Sequence, residues 1–186
     1  MTVTATEFAK LTGTYTIDPA HTRIGFVARH AMVTKVRGAF NEFEGTAVIN
    51  GDDPAASSAR VVIKAASIDT RNAQRDEHLR GNDFLAMDDH PEITFVSTAV
   101  RRTGETEFDL TGDLTIKGVT NQVTIPFTYE GTAADPFGNL RVGFEGSVTI
   151  NRKDYGVTWN AALETGGVLV GEKIVLEFEV SAIKNA

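Results

Sequence analysis

YTIDPAHTRIGFVARH, residues Tyr15–His30, carries a turn signal and then a strand. The turn is Asp18-Pro19: proline fixes φ, and the aspartate side chain bonds the backbone just ahead of it. Beyond it Ile24, Phe26, Ala28 and His30 share one parity, and Arg23, Gly25 and Arg29 share the other. A period of two marks a strand with one apolar face and one wet face. An aromatic inside and arginines outside suit a sheet wrapped around an apolar interior.

The alternation recurs down the chain. A second strand, Val36–Asn50, sets Val36, Gly38 and Phe40 on one parity, and Phe43 breaks it, which predicts a bulge. GDDPAAS, Gly51–Ser57, is a loop by composition. Val61, Ile63 and Ala65 mark a third strand, and Ile93, Phe95, Ser97 and Ala99 a fourth. The fifth is the clearest: Phe108, Leu110, Gly112, Leu114 and Ile116 alternate with Glu107, Asp109, Thr111, Asp113 and Thr115. Val119–Tyr129, Leu140–Ile150 and Ile174–Ala182 complete the set, with turns at Arg102–Glu105 and Lys117-Gly118 and a loop at Gly131–Asn139.

Eight strands joined mostly by short turns pair antiparallel with their neighbours. Such a sheet ends as an up-and-down barrel or as a sandwich. The barrel is preferred here: Gly38, Gly112 and Gly146 supply bends within strands, and closure removes exposed edges. Eight strands enclose an interior that side chains fill or that holds one small ligand. The small inward residues (Ala28, Gly38, Ala65, Gly112, Gly146) are expected to leave a tube; the alternative is a solid core. Residues 4–12 read either as a short helix with Phe8 and Leu11 on one side or as a frayed terminus. Residues 1–12 are therefore taken as an N-terminal extension and 13–186 as the barrel domain.

Composition narrows the functional classes. The chain has 186 residues, a net charge of −7 and 41% hydrophobic content. An acidic surface does not suit general nucleic-acid binding, which needs phosphate contacts. With no cysteine there is no disulfide and no thiolate chemistry. The start shows no basic segment followed by an apolar run, and no stretch approaches about 20 apolar residues. A cytoplasmic location is the expectation. His21 and His30 are an odd number of residues apart and face opposite sides of a regular strand, so no metal site is expected. No cofactor is expected, nor a nucleophile elbow, phosphate loop or HExxH motif.

Two long connections interrupt the strands. Residues 70–91 contain a helix-like piece, about Asn72–Arg80, with Leu79, Phe84, Leu85 and Met87 placed to anchor it over a barrel opening. Within it Arg75, Asp76, His78 and Asp83 form either a network that fixes the helix or a polar rim. Residues 151–171 hold the single Trp and the set Arg152, Asp154 and Tyr155. That set reads either as a buried salt bridge shaping a bend before Gly156 or as a holder of an anionic headgroup, since Arg pairs bidentately with such groups. Trp159 either lines the channel or packs in the core.

These pieces together resemble the YceI-like family, lipocalin-like polyisoprenoid-binding proteins. The resemblance rests on Tyr15-x-Ile17-Asp18-x-x-His21-Thr22-x-Ile24-x-Phe26, Ser67-Ile68-Asp69-Thr70 and Arg75-Asp76-x-His78-Leu79-x-x-x-Asp83-Phe84-Leu85. It continues in Pro91-x-Ile93-x-Phe95, Gly112-x-Leu114-Thr115-Ile116-Lys117-Gly118-Val119 and Asn151-Arg152-x-Asp154-Tyr155-Gly156. The order and spacing of these motifs carry it, over about residues 13–184. It implies an all-β fold: an extended eight-stranded antiparallel lipocalin-like barrel with a short helix between strands 3 and 4. It also implies a hydrophobic channel for a polyprenyl or similar lipid, and a homodimer.

The expectation is thus a protein that binds, transports or sequesters an isoprenoid or other long amphipathic lipid. The channel lining is expected to be Ile24, Phe26, His30, Phe40, Ile63, Phe95, Phe108, Leu114, Phe127, Phe144, Leu176 and Phe178, and the headgroup rim Arg152, Asp154, Tyr155 and Trp159. The alternatives are an enzyme on such a lipid, using His30 and the Arg152–Tyr155 loop, and a stress-related dimer with a filled core.

Overall fold

A computed structural model describes residues 5–164 and 166–186. Eleven β segments form one sheet: β1 (Gly13–Ile17), β2 (Arg23–His30), β3 (Thr34–Phe40), β4 (Phe43–Ile49), β5 (Ser58–Lys64), β6 (Ile68–Asp69), β7 (Glu92–Arg102), β8 (Glu107–Ile116), β9 (Val119–Ala134), β10 (Leu140–Asn151) and β11 (Val170–Lys184). Two helices accompany them, α1 (Ala5–Ala9) and α2 (Ala73–Arg80). Every pairing between strands is antiparallel, and β1 pairs with both β4 and β11, which closes the ring.

The eleven segments make eight barrel strands. β1 and β2 are one strand broken by the 3-10 turn Pro19–His21, β3 and β4 are one strand broken at Asn41–Glu42, and β6 is a two-residue addition to β3. The bulge expected at Phe43 is this second break. There Asn41 donates its N–H to Ser67 O and Glu42 O accepts from Lys64, so the chain changes partners before Phe43 pairs with Ile63. A bulge proper falls elsewhere, between Ser97 and Ala99 on β7. The expected third strand stops at Lys64, because Ala65 opens a 3-10 turn. With 16 residues in β9, the longest unbroken strand spans about 50 Å at roughly 3.3 Å per residue.

Local chemistry explains several boundaries. Lys117 and Gly118 both have positive φ, as a two-residue hairpin with the twist of its strands requires. The Asn72 side chain accepts from Arg75 N and caps α2. The expected terminal helix is α1; the first residue of that expected span, and residues 1–3, lie outside the described residues.

The glycines of the inner wall do something other than leave space. A Cβ on Gly38 would run into the Phe26 ring, one on Gly112 into Phe95, and one on Gly146 would stand 2.6 Å from Phe127 Cδ1. Each ring occupies the space over the glycine of a neighbouring strand that a side chain there would fill.

The first strand's break is pinned to its neighbours. Asp18 caps the turn through Ala20 N, accepts from Arg141 Nη1 at 2.6 Å and meets His21 Nδ1 at 2.8 Å. Asp135 Oδ2 accepts from Arg141 Nε at 2.9 Å. The Arg141 hydrogen bond, then His21, holds the Asp18 carboxyl at about 2, and Asn139 N–H, with Arg141 among the lesser causes, holds Asp135 at about 2.

Two tests bear on this architecture. Gly146→Val should force Phe127 off the wall and lower stability by about 1–3 kcal/mol in chemical denaturation; an unchanged midpoint would show that the ring moves freely. Both aspartates sit below the 3.8 of an unperturbed group, so the ionised forms favour the fold. Their contribution is complete above about pH 4 and lost as pH falls towards 2. Arg141→Gln should flatten that acid limb, read as denaturation midpoint against pH.

Candidate functional site

The inward residues of all eight strands surround an elongated cavity of about 330 Å³. Its wall is almost wholly apolar. Ile24, Phe26, Phe40, Ile63, Phe95, Phe108, Leu114, Phe127, Phe144, Leu176 and Phe178 all line it.

One end is capped by α1. Phe8 and Leu11, each 4% exposed, pack with Tyr15, Tyr129, Val142 and Ala182. Tyr15 Oη donates to Leu11 O at 2.8 Å, and Arg102 sits 4.6 Å above the Phe8 ring. Burial raises the Tyr15 hydroxyl above its ordinary pKa. Gly51 is required here, since a Cβ would collide with Phe8 O.

The other end is covered by α2, the segment after it, and the turn Arg152–Tyr155. Leu79, Phe84 and Leu85 reach the cavity. α2 is tied down through Thr70: Asp76 Oδ1 accepts from Thr70 N and Oγ1, while Arg75 donates to Thr70 Oγ1 and O, each at 2.7 Å. Asp76 and Thr70 are both buried. The His78 ring meets Phe84 and Trp159 edge-on at 5.0 and 4.8 Å, and its Nε2 lies 2.9 Å from Asp83 Oδ2.

A YceI-like domain model matches residues 15–182. The chain belongs to the YceI-like domain family. A UPF0312 protein of Staphylococcus aureus (strain MSSA476) is 40% identical over 171 residues, covering 90% of this chain and 95% of that protein. The crystal structure of Burkholderia cenocepacia BcnA is 27% identical with a TM-score of 0.79, covering 89% of this chain and 98% of that one. A polyisoprenoid binding domain from Saccharophagus degradans shares the fold at 14% identity and a TM-score of 0.70, covering 92% and 98%.

Within this YceI-like barrel four expected site residues lie off the cavity wall: His30, Asp154, Tyr155 and Trp159. His30 is exposed and not on the inner wall. β2 outlasts the cavity: its lining ends at Phe26, and His30 lies in the hairpin beyond, opposite Thr34 and Val170. Of the four expected rim residues only Arg152 lines the cavity. Asp154 is exposed, and its carbonyl accepts from Asn121 Nδ2. Trp159 is half-buried in the aromatic cluster. Tyr155 is 2% exposed, and burial raises its hydroxyl pKa against a smaller opposing effect of the nearby Asn121 side chain.

The expected Arg152–Asp154 salt bridge does not form. Arg152 is 5% exposed and donates to three carbonyls: Nε to Gly171 O at 2.8 Å, Nη1 to Val157 O at 2.8 Å and Nη2 to Val170 O at 3.2 Å. Burial lowers its pKa from the ordinary arginine value. In sequence, Asp154 is the obvious partner. The turn sends its side chain to solvent because Gly156 adopts a left-handed φ of 73° and folds the chain back, bringing the Val157 carbonyl to the guanidinium.

Val142 and Ala182, on the inward parity of Phe144 and Phe178, also line the cavity, and so do Tyr15 and Ile17, which were not anticipated. The turn Pro19–His21 changes the inward parity from odd in β1 to even in β2, so a count carried back from Phe26 places Tyr15 and Ile17 outside. The Asp18-Pro19 signal marked where that count should restart.

The α2 tether is open to test. Asp76→Ala leaves Thr70 N–H without its acceptor and should cost about 1–3 kcal/mol. Hydrogen–deuterium exchange across Ala73–Arg80 should speed up; unchanged exchange would mean apolar contacts alone hold the helix.

Proposed function

We propose that this YceI-like domain binds an isoprenoid or other long amphipathic lipid, with the chain in the barrel cavity, and so carries or sequesters it. The observation that carries the reading is the cavity itself: about 330 Å³, within the roughly 300–1,000 Å³ of small-molecule sites, long and apolar. Eleven of the lining residues named from the sequence, from Ile24 to Phe178, are the proposed chain contacts. Each methylene-sized group moved from water into such a wall contributes about 0.8 kcal/mol, so a few isoprene units offset the ordering cost of binding. Binding of this kind needs no covalent step. The relative named as a polyisoprenoid binding domain favours a prenyl chain among the candidates.

A filled core would leave no such space. The enzymatic alternative used His30 with the Arg152–Tyr155 loop; the exposure of His30, in the hairpin beyond the cavity, favours the binding reading.

Natively purified protein extracted with organic solvent should release a prenyl or acyl species in near-stoichiometric amount by mass spectrometry. Phe127→Asp, which sets a charge on the inner wall, should release none while keeping its circular-dichroism spectrum. An empty extract, together with failure to retain any added long-chain lipid, would overturn the reading.

A further inference from the structure

The cavity has one charged residue among the described residues that line it, Arg152. That residue sits at the α2 end with 5% of its surface exposed. Among the described residues no carboxylate lies within ion-pair distance of it. Glu172, the acid whose charge acts on it, is held by Lys153 at 2.7 Å, and both of those side chains are about half-exposed. A guanidinium has five N–H donors and no acceptor; the carbonyls of Gly171, Val157 and Val170 take three, which leaves two.

Carbonyl oxygens orient a guanidinium without neutralising it. A buried charge without a counter-charge is costly, and here it stands at the end of an apolar tunnel. The group that best completes the site carries negative charge and only acceptor atoms, as a carboxylate or phosphate does. A hydroxyl or amide head would accept a hydrogen bond but leave the charge, and an ammonium head would repel it. At the opposite end of the cavity the polar lining is neutral: Asn50, Ser57, Ser58 and Thr46.

We propose that the lipid's head is anionic, a carboxylate or a phosphate, and seats against Arg152 inside the barrel, with the apolar chain running towards α1. This rests on the cavity being a lipid site and adds the charge of the head and its direction.

The test compares ligands that differ only in the head. Palmitate, hexadecanol and hexadecylamine, and separately geranylgeranyl monophosphate and geranylgeraniol, are titrated into delipidated protein with a fluorescent displacement readout. The acids should bind at least about tenfold more tightly than the alcohols, the range expected for a charge-assisted hydrogen bond, and the amine more weakly than either. The palmitate and phosphate arms tell a carboxylate site from a phosphate site. In Arg152→Met the preference should vanish while alcohol binding persists; Arg152→Lys should keep part of it. Equal binding of acid and alcohol by the natural sequence, or a preference that survives in Arg152→Met, overturns the anionic head and leaves chain binding standing. Failure of every chain to bind overturns both. If Arg152→Met does not fold, the natural sequence and Arg152→Lys decide the matter.

Discussion

The barrel depends on how β11 closes it. Ala182–Lys184 pair with β1, and Val170–Glu179 pair with β2. One strand thus serves both halves of the broken first strand. At the break Asp18 N donates to Ser181 O, and Thr22 Oγ1 and Ser181 exchange hydrogen bonds. β3 and β4 are interrupted at the same level, and along the chain their inward parity changes from even to odd, the reverse of the odd-to-even change between the antiparallel β1 and β2. Because the two changes coincide, the apolar faces stay on the lumen side through the break. A change in one strand alone would have turned an apolar face to water.

Hollowness has its own cause. Large aromatics on the inner wall would normally interdigitate and fill an eight-stranded barrel. Here Phe26, Phe95 and Phe127 lie over Gly38, Gly112 and Gly146. A ring seated over a glycine keeps its apolar contact and takes up less of the interior than one over a side chain. The side chains that make the interior greasy are therefore compatible with an open interior.

The two ends differ in chemistry. At the α1 end the closure is aromatic packing with one cation over a ring. At the α2 end it is a polar framework, Thr70 with Asp76 and Arg75, and Arg152 bound to three carbonyls. In a low-dielectric tunnel even one charge creates a steep potential along the axis. The cavity thus has a direction as well as a volume.

Much of this was legible in the sequence because strand alternation is local. A period of two assigns faces without knowledge of partners, so eight strands and eleven wall residues could be read from neighbours alone, as could the helical piece near Asn72–Arg80. The motif order likewise pointed to the family. What the sequence could not settle depended on residues distant in the chain. His30 continues the alternation faultlessly, yet where the cavity stops is set by the opposing strands. Arg152 has an acid two residues away, yet its partners are carbonyls up to nineteen residues on, brought there by the fold-back at Gly156. Whether glycines opposite phenylalanines leave a tube or a plug is likewise a matter of register between strands, which only the closed barrel decides.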